Sequence, residues 1–204
     1  MLIELVQNNP DQRKIDEIVK LLNSGAVIVI PTDTIYAFAV SLQSKKGLSK
    51  LANFKKVKLK QSEFSLICND LTGISTYTKP MDRSVFKLLK KTLPGPFTYI
   101  LEASNHVAKL FGSNKKEVGI RIPDHSITRG IVQTLNHPLV SSSVHDDDKI
   151  IKYSTDPKTI FEKHENEVDA VIDCGYGKNV ASTVVDCRNE QIKIIRQGAG
   201  ILPN

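Results

Sequence analysis

Apolar positions near the N-terminus recur at helical spacing. Ile15, Ile18, Val19 and Leu22 follow Asp11, which can cap a helix, and Gly25 stops it. The pattern then changes period. Ala26-Val27-Ile28-Val29-Ile30 is an unbroken apolar run rich in β-branched residues, which suits a strand buried on both faces, and Pro31 ends it. A helix is predicted over Ser44 to Lys56, burying Leu48, Leu51 and Ala52. Another, over Arg83 to Thr92, carries Val85, Phe86, Leu88 and Leu89. Leu93-Pro94-Gly95-Pro96 breaks that pattern before a strand at Phe97 to Leu101. Further strands are predicted at Phe64 to Cys68, Val118 to Ile122, Leu139 to Val144, Val168 to Ile172, Ser182 to Asp186 and Gln191 to Ile195. Helices fit at Ser126 to Leu135 and Asp156 to His164. Strands and helices intermixed along the whole length argue for an α/β or α+β fold around a mixed sheet.

Composition narrows this only a little. A chain of 204 residues, 40% hydrophobic and 25% charged, is expected to form one soluble globular domain over residues 1–204. No stretch approaches the ~20 apolar residues that span a bilayer, and the first residues do not open a signal peptide. A cytoplasmic protein without a membrane partner is the expectation. Cys68, Cys174 and Cys187 are odd in number, widely spaced and set in or beside apolar runs, so they read as buried structural thiols. The net charge of +6 points to an anionic partner. Seven lysines (45, 46, 50, 55, 56, 58 and 60) fall between Ser44 and Lys60 with no acidic residue among them. They form either a solvated helix face or a surface for phosphates, nucleotide or RNA.

The first candidate for chemistry is the turn Pro31-Thr32-Asp33-Thr34-Ile35-Tyr36, because loops at the strand ends of open α/β sheets commonly bind ligands. Thr32, Asp33 and Thr34 offer two hydroxyls and a carboxylate, and Tyr36 an aromatic face for stacking or a pocket wall. The same residue types also suit a plain turn.

Pro31 to Ala37 resembles the opening Pro-Thr-Asp/Glu-Thr-x-Tyr-Gly/Ala motif of the YrdC/YciO family. The likeness continues in order. Pro94-Gly95-Pro96-Phe97-Thr98 is similar to the family's PGP segment, and Gly119 to His125 to its G-x-R-x-P-x-H. Pro138 to Ser143 is similar to P-L-V-S-T-S, Ser182 to Asp186 to S-T-V-V-D, and Arg196-Gln197-Gly198 to the terminal R-x-G. The resemblance implies a single YrdC-like domain, with a twisted mixed sheet flanked by helices and a basic concave face. It implies an ATP-dependent L-threonylcarbamoyladenylate synthase, or a diverged relative, linked to threonylcarbamoyl modification of tRNA adenosine. ATP with Mg2+ would be the substrate complex, threonine and bicarbonate the other small ligands, and no permanent cofactor or protein-bound metal is expected. Thr32, Thr34 and Tyr36 would bind substrate. Lys55, Arg121, Ser143, His145, Ser182 and Arg196 would meet the nucleotide, with Lys55 and Ser143 catalytic. Arginines and serines on strands can also be ordinary solvent-facing or backbone-bonded residues. A non-catalytic module binding tRNA or double-stranded RNA is the alternative, with Lys87, Lys90 and Lys91 adding charge.

Two positions depart from the synthase pattern. Where active synthases carry K-x-R, this chain has Lys55-Lys56-Val57, and where they carry S-x-N it has Ser143-Val144-His145. Valine cannot donate a hydrogen bond, and a lost charge-assisted bond costs roughly 1.5–3 kcal/mol. His145 can still donate. Asp146, Asp147 and Asp148 after it form an acidic turn, or could gather a divalent cation. The pattern resembles the YciO branch more than the YrdC synthases.

Overall fold

The computed structural model describes residues 1–111, 115–144, 155–189 and 192–203. In chain order the elements are β1 (Leu2–Glu4), α1 (Gln12–Asn23), β2 (Ile28–Ile30), β3 (Ala37–Ser41), α2 (Lys45–Phe54) and β4 (Ser65–Ile67). Then come α3 (Arg83–Thr92), β5 (Phe97–Glu102), α4 (Asn105–Leu110), β6 (Glu117–Arg121), α5 (Ser126–Leu135) and β7 (Leu139–Ser143). The chain closes with α6 (Pro157–His164), β8 (Ala170–Asp173), β9 (Thr183–Asp186) and β10 (Lys193–Arg196). The strands form one mixed sheet in the order β1-β8-β2-β3-β7-β4-β6-β5-β9-β10. No helix among the described residues is long and apolar enough to cross a membrane.

The two periodicities of the sequence appear where expected. Asp11 caps α1 by accepting from the Arg13 amide, and Ile15, Ile18, Val19 and Leu22 are its buried face. β2 is buried at every position, as its unbroken run requires. Phe86 is the exception within α3, half in solvent while Val85 and Leu89 are buried. Three elements carry too little pattern to be read in advance: β1, with three residues; β3, whose run is fully buried and follows the turn at once; and the single-turn helix α4.

Each face of the sheet has a different fate. One buries Val29, Phe38, Leu66, Tyr99, Ile120, Val140 and Val185 beneath α2, α3, α4 and α6, which contribute Leu51, Leu89, Val107 and Ile160. The other is covered by α1 and α5 over β8, β2 and β3, where Ile28, Ile30, Ala37, Ala39 and Ile172 pack on Ile18, Leu22, Ile127 and Ile131. The same face continues across β7, β4, β6, β5 and β9, where Leu139 and Ile67 still join that core, and beyond them Ser65, Thr98, Gly119 and Ser141 stand beside Ile100 and Val184 with no helix among the described residues above them. Register pairs Ser65 with both Gly119 and Ser141, and Ala39 with Ser141, which fixes these side chains on the α1/α5 side. That uncovered half of the face is an open cleft.

Candidate functional site

The cleft has a volume of about 610 Å³ and is floored by Ser65, Thr98, Gly119, Ser141 and Ser143. Arg121, Ser182 and Arg196 line its inner end, and Glu63, Lys115 and Glu117 its outer end. Four expected nucleotide residues therefore line one cleft although they come from four different strands or strand ends, Arg121, Ser182 and Arg196 at its inner end and Ser143, which the register sets level with Glu63 and Glu117, toward its outer end. Alternation explains it, because Glu117, Gly119 and Arg121 are every second residue of β6 and face the same way.

Each polar group is held by its neighbours. Arg121, only 8% exposed, donates from Nη2 to Thr34 Oγ1 at 2.9 Å and pairs with Asp33 Oδ1 at 3.4 Å. Arg196 Nη2 donates to the Ser182 carbonyl at 3.1 Å, and Ser182 Oγ shares a hydrogen bond with Thr98 Oγ1 at 2.7 Å. Lys55, which closes α2, donates to the Ser143 carbonyl at 3.2 Å, with its ammonium 5.4 Å from the Phe38 ring centre. Burial raises the Asp33 carboxyl above its ordinary value, against the pull of the Arg121 guanidinium. Arg121 itself stays charged, since a guanidinium is not deprotonated in proteins.

The turn behaves differently from the expectation. Thr32 and Asp33 line a second cavity of about 320 Å³, with Pro94, Gly95, Pro96, His125, Cys174 and Lys178, so the Asp33–Arg121 pair is the wall between two spaces. Thr34 is fully buried under Arg121, and the Thr32 hydroxyl donates to the Ile35 carbonyl at 2.7 Å while accepting from the Thr34 amide at 3.1 Å. Tyr36 is corrected outright. Its ring is 0% exposed, and its hydroxyl donates to the Gly175 carbonyl at 2.8 Å, leaving no face on which a ligand could stack. A residue beginning an interior strand is claimed by the core. Thr128 of α5 donates to the Pro31 carbonyl, which ties the turn to the helix.

Cys68 and Cys187 are buried thiols, as read, but Cys174 is half-buried beside the second cavity, with its sulfur 3.8 Å from His125 Nε2. His125, 5% exposed, is held neutral: burial lowers it to about 4. His145 and the acidic run Asp146 to Asp148 lie outside the described residues. Val57 is exposed and is not among the residues lining the cleft. Apart from Lys55, which reaches the Ser143 carbonyl, the lysine run and Lys87, Lys90 and Lys91 sit on α2, the turn after it and α3, which cover the opposite face, so among the described residues the cations lining the cleft are Lys115, Arg121 and Arg196. Lys115 and Glu117 were missed by motif reading, but strand alternation back from Arg121 would have placed Glu117.

The terminal R-x-G segment is explained by packing. A Cβ on Gly198 would stand 2.3 Å from the Ala181 carbonyl oxygen and 2.6 Å from the Ser182 carbonyl carbon, which are backbone and cannot turn aside. Gly198→Ala should therefore push the segment off β9, costing about 1–3 kcal/mol by overpacking, read as a lower urea midpoint. An unchanged midpoint would show that the segment shifts freely.

Comparison with known proteins agrees with this fold. A family model for Sua5, YciO and YrdC, described as telomere recombination, matches residues 20–198. The chain is 31% identical over 194 residues to the protein YciO of Escherichia coli K12, covering 95% of this chain and 93% of that one. It is 28% identical over 205 residues to a putative threonylcarbamoyl-AMP synthase of Methanocaldococcus jannaschii, covering 97% of this chain and 92% of the other. The crystal structure of E. coli YciO superposes with a TM-score of 0.89 at 29% identity, over 98% of this chain and 97% of that one. That of P. abyssi Sua5 complexed with L-threonine superposes at 0.86, over 97% of this chain and 57% of Sua5; at 20% identity it shows the fold.

Proposed function

The chain belongs to the Sua5/YciO/YrdC family, and on that premise we propose that its cleft binds ATP with Mg2+ and forms L-threonylcarbamoyladenylate from threonine and bicarbonate. The observation that carries the reading is one open half of a sheet face lined by Arg121, Arg196, Ser182 and Ser143, with Lys55 at the end of α2 reaching the Ser143 carbonyl. Two guanidiniums at one end of a cleft suit phosphate oxygens, to which they donate in a fixed fork. In the proposed sequence the threonine amine bonds to the bicarbonate carbon as a C–O bond breaks and water leaves; an oxygen of the resulting carbamate then bonds to the α-phosphorus as the bond to the bridging β-phosphate oxygen breaks, and pyrophosphate leaves with that electron pair. The residues supply oriented donors for the charge that develops, with no proton taken by the arginines. The product is of the class consumed in threonylcarbamoyl modification of tRNA adenosine.

Val57 bears on rate. The missing arginine bond, if made only in the transition state, lowers turnover about tenfold to a hundredfold. Pyrophosphate release from ATP should depend on both threonine and bicarbonate, and the double change Val57→Arg with His145→Asn should raise it at least about tenfold. No release above background, together with salt-sensitive binding of duplex RNA, would replace the synthase reading with an RNA-binding module. An unchanged rate in the double variant would remove Val57 and His145 as the cause of slow turnover.

A further inference from the structure

β4 and β6 are parallel neighbours, yet the chain leaves them on opposite faces of the sheet. After β4 it packs Ile74, Val85 and Leu89 into one core, and after β6 it enters α5, whose Ile127 and Ile131 belong to the other. Open α/β sheets bind ligands outside the carboxyl ends of strands, where the connections diverge in this way. A cavity of about 260 Å³ lies at that point, between Cys68 to Asp70, which follow β4, and the end of α5. It sits beyond the strand ends, and it shares no lining residue with the sheet-face cleft.

The deeper lining is apolar and uncharged. Val132 and Pro138 are buried, and so is Cys68, whose thiol burial pushes up to about 12. The half-buried rings of Tyr77 and His137 also line the space. His137 Nδ1 donates to the Pro138 carbonyl at 3.1 Å, and its Nε2 is 3.4 Å from the Ser41 hydroxyl, so both ring nitrogens are engaged. Burial lowers the pKa of this ring, which is therefore neutral at pH 7.

Hydrogen-bonding capacity is concentrated in the more exposed lining. Gln133 and Asn136 are exposed and Asn69 is half-buried, and each carboxamide presents a donor beside an acceptor. The Asp70 carboxylate accepts from Asn69 Nδ2 at 3.3 Å and from the Thr72 amide at 2.7 Å, which holds it in place. Among the described residues lining the cavity Asp70 is the one charged side chain, so no cation is present to receive a phosphate. The volume is below the ~300–1,000 Å³ of sites for drug-sized ligands, which limits the occupant to about one ring system. Carboxamides pair with the donor and acceptor edge of a nucleobase, and carboxylates accept from its amino groups. A sugar has hydroxyls on every side and would set some of them against Val132 and Pro138.

We propose that this cavity is a second binding site, which takes the base of an unphosphorylated nucleoside. The flat base rests on Val132 and Pro138 beside Tyr77, Gln133 and Asn136 bond its edge, and its amino group donates to Asp70. The site is independent of the nucleotide reading above, because it uses none of the cleft's residues and needs no phosphate.

Amide chemical-shift mapping of the isotope-labelled whole chain tests it, with adenosine, guanosine, cytidine and uridine as probes and methyl glucoside as the sugar control. At least one of the three amino-bearing nucleosides should shift amides within 68–77 and 132–137 saturably, while those of Ser182 and Arg196 stay in place. Uridine, which lacks an amino group, should bind at least about threefold more weakly, and Asp70→Asn should remove that margin. Gln133→Ala combined with Asn136→Gly should weaken the nucleoside about tenfold. Glycine keeps the left-handed backbone that Asn136 adopts at the end of α5 (φ 58°), and thermal melting checks that the variants are folded. The site is overturned if no nucleoside moves these amides at millimolar concentration, if only the cleft amides move, or if the folded double variant binds like wild type. Methyl glucoside binding as tightly as the nucleosides, uridine binding as tightly as the other three, or a tenfold gain from the corresponding monophosphate would overturn the base assignment.

Discussion

Replacing Arg121 with methionine should cost about 3–5 kcal/mol of stability, because it strands a buried carboxylate, and on the proposed nucleotide reading it should also remove ATP binding. Arg121 and Asp33 are both more than nine-tenths buried, and the guanidinium also donates to Thr34, which is wholly enclosed. Methionine fills much of the volume but donates nothing, so Asp33 must either stay charged without its partner or take up a proton. Its carboxyl already sits above its ordinary value through burial, and losing Arg121 raises it further. The double variant Arg121→Met with Asp33→Asn separates the two effects. It should recover more than half of the lost stability in urea titration, since the uncompensated charge is gone. ATP binding should stay lost, since the proposed phosphate contact is gone too. Full stability in the single variant would mean that the pair is not desolvated as its burial indicates.

Stability should also fall by about 3 kcal/mol between pH 7 and pH 4 on account of His125 alone. Its folded pKa, lowered to about 4, lies below the reference of 6.5, so the native state resists the proton that the unfolded chain accepts. The sign follows: the contribution is fully present above pH 6.5 and is lost as pH falls through that value toward 4. Asp33 works the other way, because a raised carboxyl favours the native state in acid and loses that advantage as pH rises through its folded value. The comparison is therefore between wild type and His125→Asn in the same Asp33 background. The urea midpoints should converge near pH 4.5 and separate near pH 7. Parallel profiles would place the histidine in water and contradict its burial beside the second cavity.

Much of the fold was legible because its signals are local. The helix from Gln12 to Asn23 announces itself by a capping aspartate and four apolar residues at helical spacing, and β2 by an unbroken β-branched run. The residues at the inner end of the cleft were legible through short motifs whose order survives along the chain. Tyr36 was misjudged for a reason the sequence cannot carry: an aromatic residue after a polar turn looks the same whether it faces a ligand or a core. Lys115 and Glu117 were passed over because nothing adjacent in sequence marks them.

By itself, then, the sequence determined the period of each element, the places where chains of hydrogen bonds must stop, and which residue types stand at strand ends. Those follow from sterics and from burial along a few consecutive residues. Only the tertiary structure decided that α1 and α5 cover half of one sheet face and leave the Ser65, Gly119 and Ser141 half open. It also decided that Asp33 and Arg121, 88 residues apart, wall one cavity off from another. Such contacts depend on strand order and register, and a sheet that brings β4 between β7 and β6 sets distances that no spacing along the chain encodes.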